Sequence, residues 1–87
     1  MPDKEGFENT ATAIITGVSK HIKWYMLPSV CEMCHQPIMH HYDLVLVDIL
    51  AEVSMETVST IINVLKNVAR EIYMIDIKVV IKDEVRH

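Results

Sequence analysis

The chain has 87 residues and a formal net charge of −4, and its composition already excludes several classes of protein. Hydrophobic residues make up 51% and charged residues 23%, which is typical of a globular domain and not of a disordered chain. Eight Lys and Arg against twelve Asp and Glu form no basic stripe, so nucleic acid and anionic membrane surfaces are poor partners. The apolar fraction is high for so short a chain and predicts a surface covered by a partner, most simply a second copy.

A single domain is expected over residues 1–87, with residues 1–6 and 83–87 as flexible ends. No apolar run reaches the roughly 20 residues that a membrane-spanning helix needs. The acidic start of the chain differs from the basic start of a signal peptide. We therefore expect a soluble cytoplasmic protein with no direct membrane insertion, or a domain taken from a larger protein.

The first half of the chain predicts a helix and then a strand. Apolar residues recur at helical spacing over Phe7–Val18. Over His21–Leu27 every second residue is apolar, which is typical of a strand, although a continuation of the first helix stays open. Pro28 and Pro37 bracket the loop that follows.

The second half predicts strand, helix and strand. The segment Ile38–Ala51 has no breaker and becomes apolar on both alternating faces from Leu44 onward, so both faces must be covered. One of these faces carries Leu44 and Leu46, and the other carries Val45, Val47 and Ile49. Ser54 then caps a helix with an apolar stripe over Met55–Ile72. Alternation over Ile75–Ile81 predicts a final half-buried strand.

This order of elements predicts an α+β fold of the αββαβ type with two layers. A three-stranded sheet would be covered by two helices on one face, as in ferredoxin-like or metallochaperone-like domains. The strand–helix–strand connection should cross over with a right hand. The other face of the sheet would remain free, and homodimerisation is the simplest way to cover it.

Two thiols and three imidazoles lie within residues 31–41, and this ligand set is typical of zinc or another borderline-soft divalent ion. A gap of two residues lets both sulfurs bind one ion. The candidate ligands are Cys31, Cys34, His35, His40, His41 and His21. The favoured set is Cys31 and Cys34 with either His40 or His41, completed by His21 or Glu32, whereas His35 is crowded by Cys34. Zinc is the expected metal, with iron, manganese or nickel as alternatives.

The same residues allow other interpretations. Cys31-Glu-Met-Cys34-His35 matches the attachment signature of c-type haem, which the sheet-forming flanks and the lack of a visible export signal disfavour. A thioredoxin-type dithiol would need a helix after the motif, whereas a strand follows here. A zinc knuckle with a purely structural role is a further alternative. No motif predicts an enzyme.

Four segments, taken with the order of elements, resemble a known family. They are Gly17-Val18-Ser-Lys-His21, Tyr42-Asp-Leu-Val-Leu-Val-Asp-Ile, Ser54-Met-Glu-Thr and Ile75-Asp-Ile-Lys-Val-Val-Ile. This layout resembles the cytoplasmic C-terminal domain of cation diffusion facilitator transporters. The resemblance implies a metallochaperone-like fold and a V-shaped homodimer attached to a transmembrane domain. It also implies divalent cations that bind between the two copies and regulate transport.

The resemblance places His21 where that family often has a metal-binding histidine after its Gly-Val turn. Two features differ from the family. Apolar residues near Val47 and Val80 replace frequent histidines, and the loop with Cys31 and Cys34 is not a standard family feature. The resemblance therefore implies a metal-responsive dimer with a changed ligand set.

Overall fold

The computed structural model describes residues 1–83 and has the predicted order of elements. These are helix α1 (Lys4–Val18), strands β1 (Lys23–Val30) and β2 (Pro37–Val47), a 3-10 turn (Ile49–Ala51), helix α2 (Met55–Glu71) and strand β3 (Asp76–Lys82). Strand β2 is central and pairs antiparallel with β1 and parallel with β3. The predicted α+β fold is confirmed. Within residues 1–83, no helix has the length and apolar character needed to cross a membrane.

One face of the sheet packs against both helices. In the strand register Met26, Leu44 and Val79 lie side by side on this face, and Leu44 is fully buried. The helices contribute Phe7, Ala11 and Ile15 from α1 and Val58, Ile61, Leu65 and Ala69 from α2. Burying one large apolar side chain stabilises a fold by about 1.5–3 kcal/mol, so this one-sided core supplies the main driving force for folding.

Helix α2 has the predicted N-cap and a partly different apolar stripe. The Ser54 side chain accepts a hydrogen bond from the backbone N–H of Thr57 at 3.3 Å. Glu56 in the first turn and Arg70 in the last turn oppose the partial charges of the helix ends. The stripe residues in the middle of the helix are buried or half-buried, but Met55 and Ile72 at its ends are exposed. The helix therefore extends beyond the core at both ends.

Helix α1 begins earlier than predicted because Asp3 caps it. The Asp3 side chain accepts a hydrogen bond from the N–H of Gly6 at 2.9 Å, and the Asp3 N–H donates to the carbonyl of Tyr73 at 2.9 Å. Residues 4–6, expected above as part of a flexible end, form the first turn of the helix. At the other expected flexible end, residues 84–87 lie outside the described residues.

Strand β2 ends at Val47, before the predicted end at Ala51. Asp48 adopts a left-handed conformation with a φ of 51°, and the chain then enters the 3-10 turn. Ile49 is fully buried in the core on the helix side. The prediction that Ile49 shares a face with Val45 is wrong, because the alternation of a strand does not continue past Asp48.

The sheet face turned away from the helices is called the outer face. It carries Lys23, Tyr25, Leu27, Asp43, Val45, Val47, Lys78, Val80 and Lys82. Tyr25 and Lys82 meet across β2, where the Lys82 Nζ donates to the Tyr25 hydroxyl at 3.2 Å and lies 5.9 Å from the ring centroid. Val45 pairs with Tyr25 in the register and is only 4% exposed. Side chains of the outer face thus cover part of the apolar surface that was expected to need a partner.

More apolar surface is exposed at one end of the sheet, in the segment Leu27–Met39, called the hairpin tip. Its large exposed apolar side chains are Leu27, Val30, Met33, Ile38 and Met39. Met33 is 92% exposed. Contiguous apolar side chains on a small protein mark a surface for a partner. The hairpin tip is therefore one exposed apolar surface of the described chain, and it includes Ile38 and Met39 at the start of β2.

Two isoleucines at the end of α2 provide a matched test of this core. Ile75 is 1% exposed and Ile72 is 64% exposed. We expect Ile75→Ala to lower the free energy of unfolding by about 2–5 kcal/mol, because it leaves a cavity in the core. Ile72→Ala should change it by less than about 0.5 kcal/mol. Urea denaturation followed by circular dichroism measures both, and equal losses would contradict the described core.

Candidate metal centre

The two cysteines lie in a single hydrogen-bonded turn between β1 and β2. The His35 N–H donates to the Cys31 carbonyl at 2.9 Å, and the Cys31 N–H donates to the Gln36 carbonyl at 2.9 Å. His35 has a φ of 57°, in the left-handed region that residues other than glycine seldom adopt. Cys31 and Cys34, which are three positions apart in sequence, are therefore held in one turn at the hairpin tip.

Hydrogen-bond donors surround the sulfur of Cys31. The backbone N–H of Cys34 is the strongest cause of a lowered pKa of the Cys31 thiol, followed by the backbone N–H of Met33 and the side chain of Cys34. These donors stabilise the negative charge of the thiolate. Cys31 is partly buried and Cys34 is exposed. The thiolate form, which binds metals and acts as a nucleophile, is thus favoured at Cys31.

The histidines on β2 lie beside an irregularity in the strand pairing. Pro28 pairs with Tyr42 and Val30 pairs with Pro37, so two steps along β1 correspond to five steps along β2. His40, within these extra residues, has a φ of 62°. Neighbouring residues of a regular strand point to opposite faces, but this rule does not hold for His40 and His41 across such a bulge.

An open cavity of about 480 Å³ connects the cysteine turn with the outer face. Cys31, Glu32, His41, Asp43 and Lys78 are among its lining residues. The Ser29 hydroxyl donates to Asp43 Oδ1 at 2.6 Å and so fixes that carboxylate. Sequence reasoning missed Asp43, because strand pairing brings it to the cavity and no local motif marks it.

His41 has a partner of its own on β3. Its Nε2 lies 3.6 Å from Asp76 Oδ2, and the other oxygen of Asp76 lies 3.9 Å from Arg70 Nη1. The side chain of His41 is 46% exposed, so this contact is solvent-screened and weak. His41 is therefore near the cysteine turn and can be released from Asp76 at little cost.

The structure does not bring His21 to the cysteines. His21 precedes β1, whereas Cys31 follows it, and the eight residues of Lys23–Val30 span about 26 Å at about 3.3 Å per residue. His21 Nδ1 instead lies 3.9 Å from Glu52 Oε2. From the sequence, His21 is a candidate for the fourth ligand of a metal site at Cys31 and Cys34. The structure places His21 too far from these cysteines to bind the same ion within one chain.

The structure therefore places the six predicted ligands in different parts of the fold. Cys31 and Cys34 come together, His35 lies in the same turn, His40 is on the bulge, His41 lines the cavity, and His21 is remote. In the part of the chain that is described, no three His, Cys, Asp or Glu side chains are placed to hold a metal ion. The donor chemistry of the turn fits a soft divalent cation, but one chain supplies two arranged ligands where zinc takes four.

Comparison of the chain with protein-family models, with characterised proteins and with solved structures finds no match. The resemblance to cation diffusion facilitator domains therefore stays a prediction, and so does the haem interpretation of Cys31-Glu-Met-Cys34-His35.

The lowered pKa of Cys31 can be measured in the Cys34→Ser variant, where Cys31 is the remaining thiol. This variant keeps the backbone donors at positions 33 and 34. We expect alkylation by iodoacetamide to reach half its maximal rate at lower pH in the folded chain than in urea, because the donors favour the folded thiolate. Equal midpoints in the folded and unfolded chains would contradict the hydrogen bonding described for Cys31.

The lowered pKa of Cys31 also makes the free energy of unfolding depend on pH. Since the folded pKa of Cys31 lies below the unfolded one, the folded chain binds fewer protons between the two values. The contribution of this thiol to the free energy of unfolding is therefore complete above the unfolded pKa. It is lost as the pH falls through the folded pKa.

Proposed function

We propose that this chain is a metal-binding, homodimerising regulatory domain of a divalent-cation transporter, located on the cytoplasmic side of the membrane. In this proposal two copies meet at their hairpin tips, and a divalent cation held by Cys31 and Cys34 favours their closed arrangement. Zinc suits this ligand pair best.

The observation that carries the proposal is a pair of thiols in one turn, Cys34 exposed and Cys31 partly buried, in a segment that also carries exposed apolar side chains. Zinc takes four ligands, and the described chain arranges only two. A second copy that docks at the same surface would bring a second pair of thiols. An isologous dimer of this kind completes the site by symmetry.

The fold is consistent with the family resemblance. The order αββαβ, with a mixed three-stranded sheet and helices on one face, is the architecture that the resemblance implies. The cysteine turn occupies the connection between β1 and β2, and residues 31–36 are not part of the hydrophobic core. A partner can therefore approach the turn without displacing the core.

The residues of the chain have distinct roles in the proposed response. Backbone N–H groups at positions 33 and 34 lower the pKa of Cys31 and so favour its ligand form, and the apolar side chains of the hairpin tip provide the contact surface. A bound cation supplies a bridge between the thiolates of two copies. A ligand that binds the closed dimer alone stabilises it by about 2.7 kcal/mol when its free concentration is about 100-fold above its Kd.

Zinc should convert the chain from monomer to dimer. We expect one zinc ion per two chains, measured by elemental analysis, together with a doubling of the solution mass measured by light scattering. A chelator should reverse both changes. Cys31→Ser and Cys34→Ser should each abolish the zinc-dependent mass change, because each removes half of the sulfur ligands.

His21→Ala is the matched control, since His21 lies at the far end of β1 and should leave the response unchanged. One zinc per chain with no change of mass would contradict the bridging site. A dimer of the same dimensions with and without chelator would indicate a purely structural zinc knuckle.

The contact surface is tested by two exposed leucines. Leu27 lies in the hairpin tip and is 51% exposed, whereas Leu50 lies in the 3-10 turn and is 38% exposed. Leu27→Glu should raise the Kd of the zinc-bound dimer at least about tenfold, because an unpaired carboxylate would be buried in the interface. Leu50→Glu should leave it unchanged. Sedimentation at several concentrations measures both, and the reverse order of effects would exclude the hairpin tip as the interface.

A further inference from the structure

The cysteine turn has a second chemical capacity that needs no metal. Cys31 and Cys34 form no disulfide in this structure, and a hydrogen bond joins their side chains within the turn. We propose that these two thiols form a reversible intramolecular disulfide by exchange with a small-molecule disulfide such as glutathione disulfide. The hairpin tip would then be a site of redox modification.

The backbone of the turn already suits this bond. The 2.9 Å hydrogen bond from the His35 N–H to the Cys31 carbonyl closes one tight turn around both cysteines. A bond between residues four apart defines an α-turn, which is one helical turn that is not continued, and in that geometry the Cα atoms of residues three positions apart lie about 5 Å from each other. A disulfide requires roughly 4.4–6.8 Å between these atoms. The bond therefore forms by side-chain rotation, and the ladder between β1 and β2 stays intact.

The turn is open to a small reagent from two sides. Cys34 is exposed to solvent, and Cys31 lines the open cavity that leads onto the outer face. A strand follows the motif, so the turn lacks the helix start that activates the thiol of thioredoxin-type catalysts. The chain is thus the substrate of the exchange and not its catalyst.

The exchange has two steps. The thiolate of one cysteine attacks one sulfur of glutathione disulfide, forms a mixed disulfide and releases one glutathione thiolate. The thiolate of the other cysteine then attacks the sulfur of the first, forms the Cys31–Cys34 bond and releases the second glutathione. The two thiols of the chain lose two electrons and two protons, the electrons reduce one glutathione disulfide to two glutathione molecules, and the protons pass to these products or to water.

Oxidation would have a defined consequence for the hairpin tip. Both sulfurs would be bonded to each other and could no longer bind a cation as thiolates. The apolar side chains around the turn would remain in place. The disulfide would therefore switch off metal binding without unfolding the domain.

The test uses the chelator-treated, metal-free chain in buffers with different ratios of glutathione disulfide to glutathione. After acid quenching, mass spectrometry should show wild-type chain that has lost two hydrogen atoms and both alkylatable thiols. Excess reduced glutathione should restore them. Cys31→Ser and Cys34→Ser should instead accumulate one glutathione per chain, because each lacks the second thiol that resolves the mixed disulfide.

Three results would overturn the proposal. They are stable glutathione adducts on the wild-type chain, disulfide-linked dimers as the main product, and unreactive thiols in the wild type and both variants. Because the measurement is made without metal, it stands or fails independently of zinc-dependent dimerisation. Circular dichroism of the oxidised chain should match that of the reduced chain, which verifies that the fold is kept.

Discussion

Strand β2 is the element on which the rest of the structure depends. It is the hydrogen-bonded neighbour of both other strands, and its Leu44 and Leu46 are fully buried at the centre of the core. Because β3 runs parallel to β2, the connection between them must cross the sheet, and α2 makes this crossing. The helices then cover one face, and residues 1–83 supply no further helix or strand for the other.

The position of the candidate site follows from the register of this strand. A shift by one residue would turn Leu44 and Leu46 to solvent, so the core fixes the pairing of β2 with β1. The longer segment of β2 near the turn cannot be paired residue by residue and forms the bulge at His40. The cysteine turn, His41 and Asp43 therefore meet at the end of the sheet that lies away from the tightly paired core.

The two proposals concern the same atoms in different chemical states. As thiolates, Cys31 and Cys34 would bind a cation with a second copy, and as a disulfide they would bind none. The apolar rim of the hairpin tip is common to both states, since neither changes Val30 or Met33. Coupling between metal response and redox state would thus arise at one turn and need no movement of the core.

Local patterns in the sequence determined the elements, the α+β class and the Ser54 cap, because periodicity and capping depend on neighbours along the chain. They also marked Cys31 and Cys34 as a pair, since their spacing brings them into one turn. Only the tertiary structure decided that His21 is remote, that Asp43 faces the cavity and that Ile49 is in the core. These positions depend on strand pairing and on where β2 ends, which are set by contacts between residues far apart in sequence.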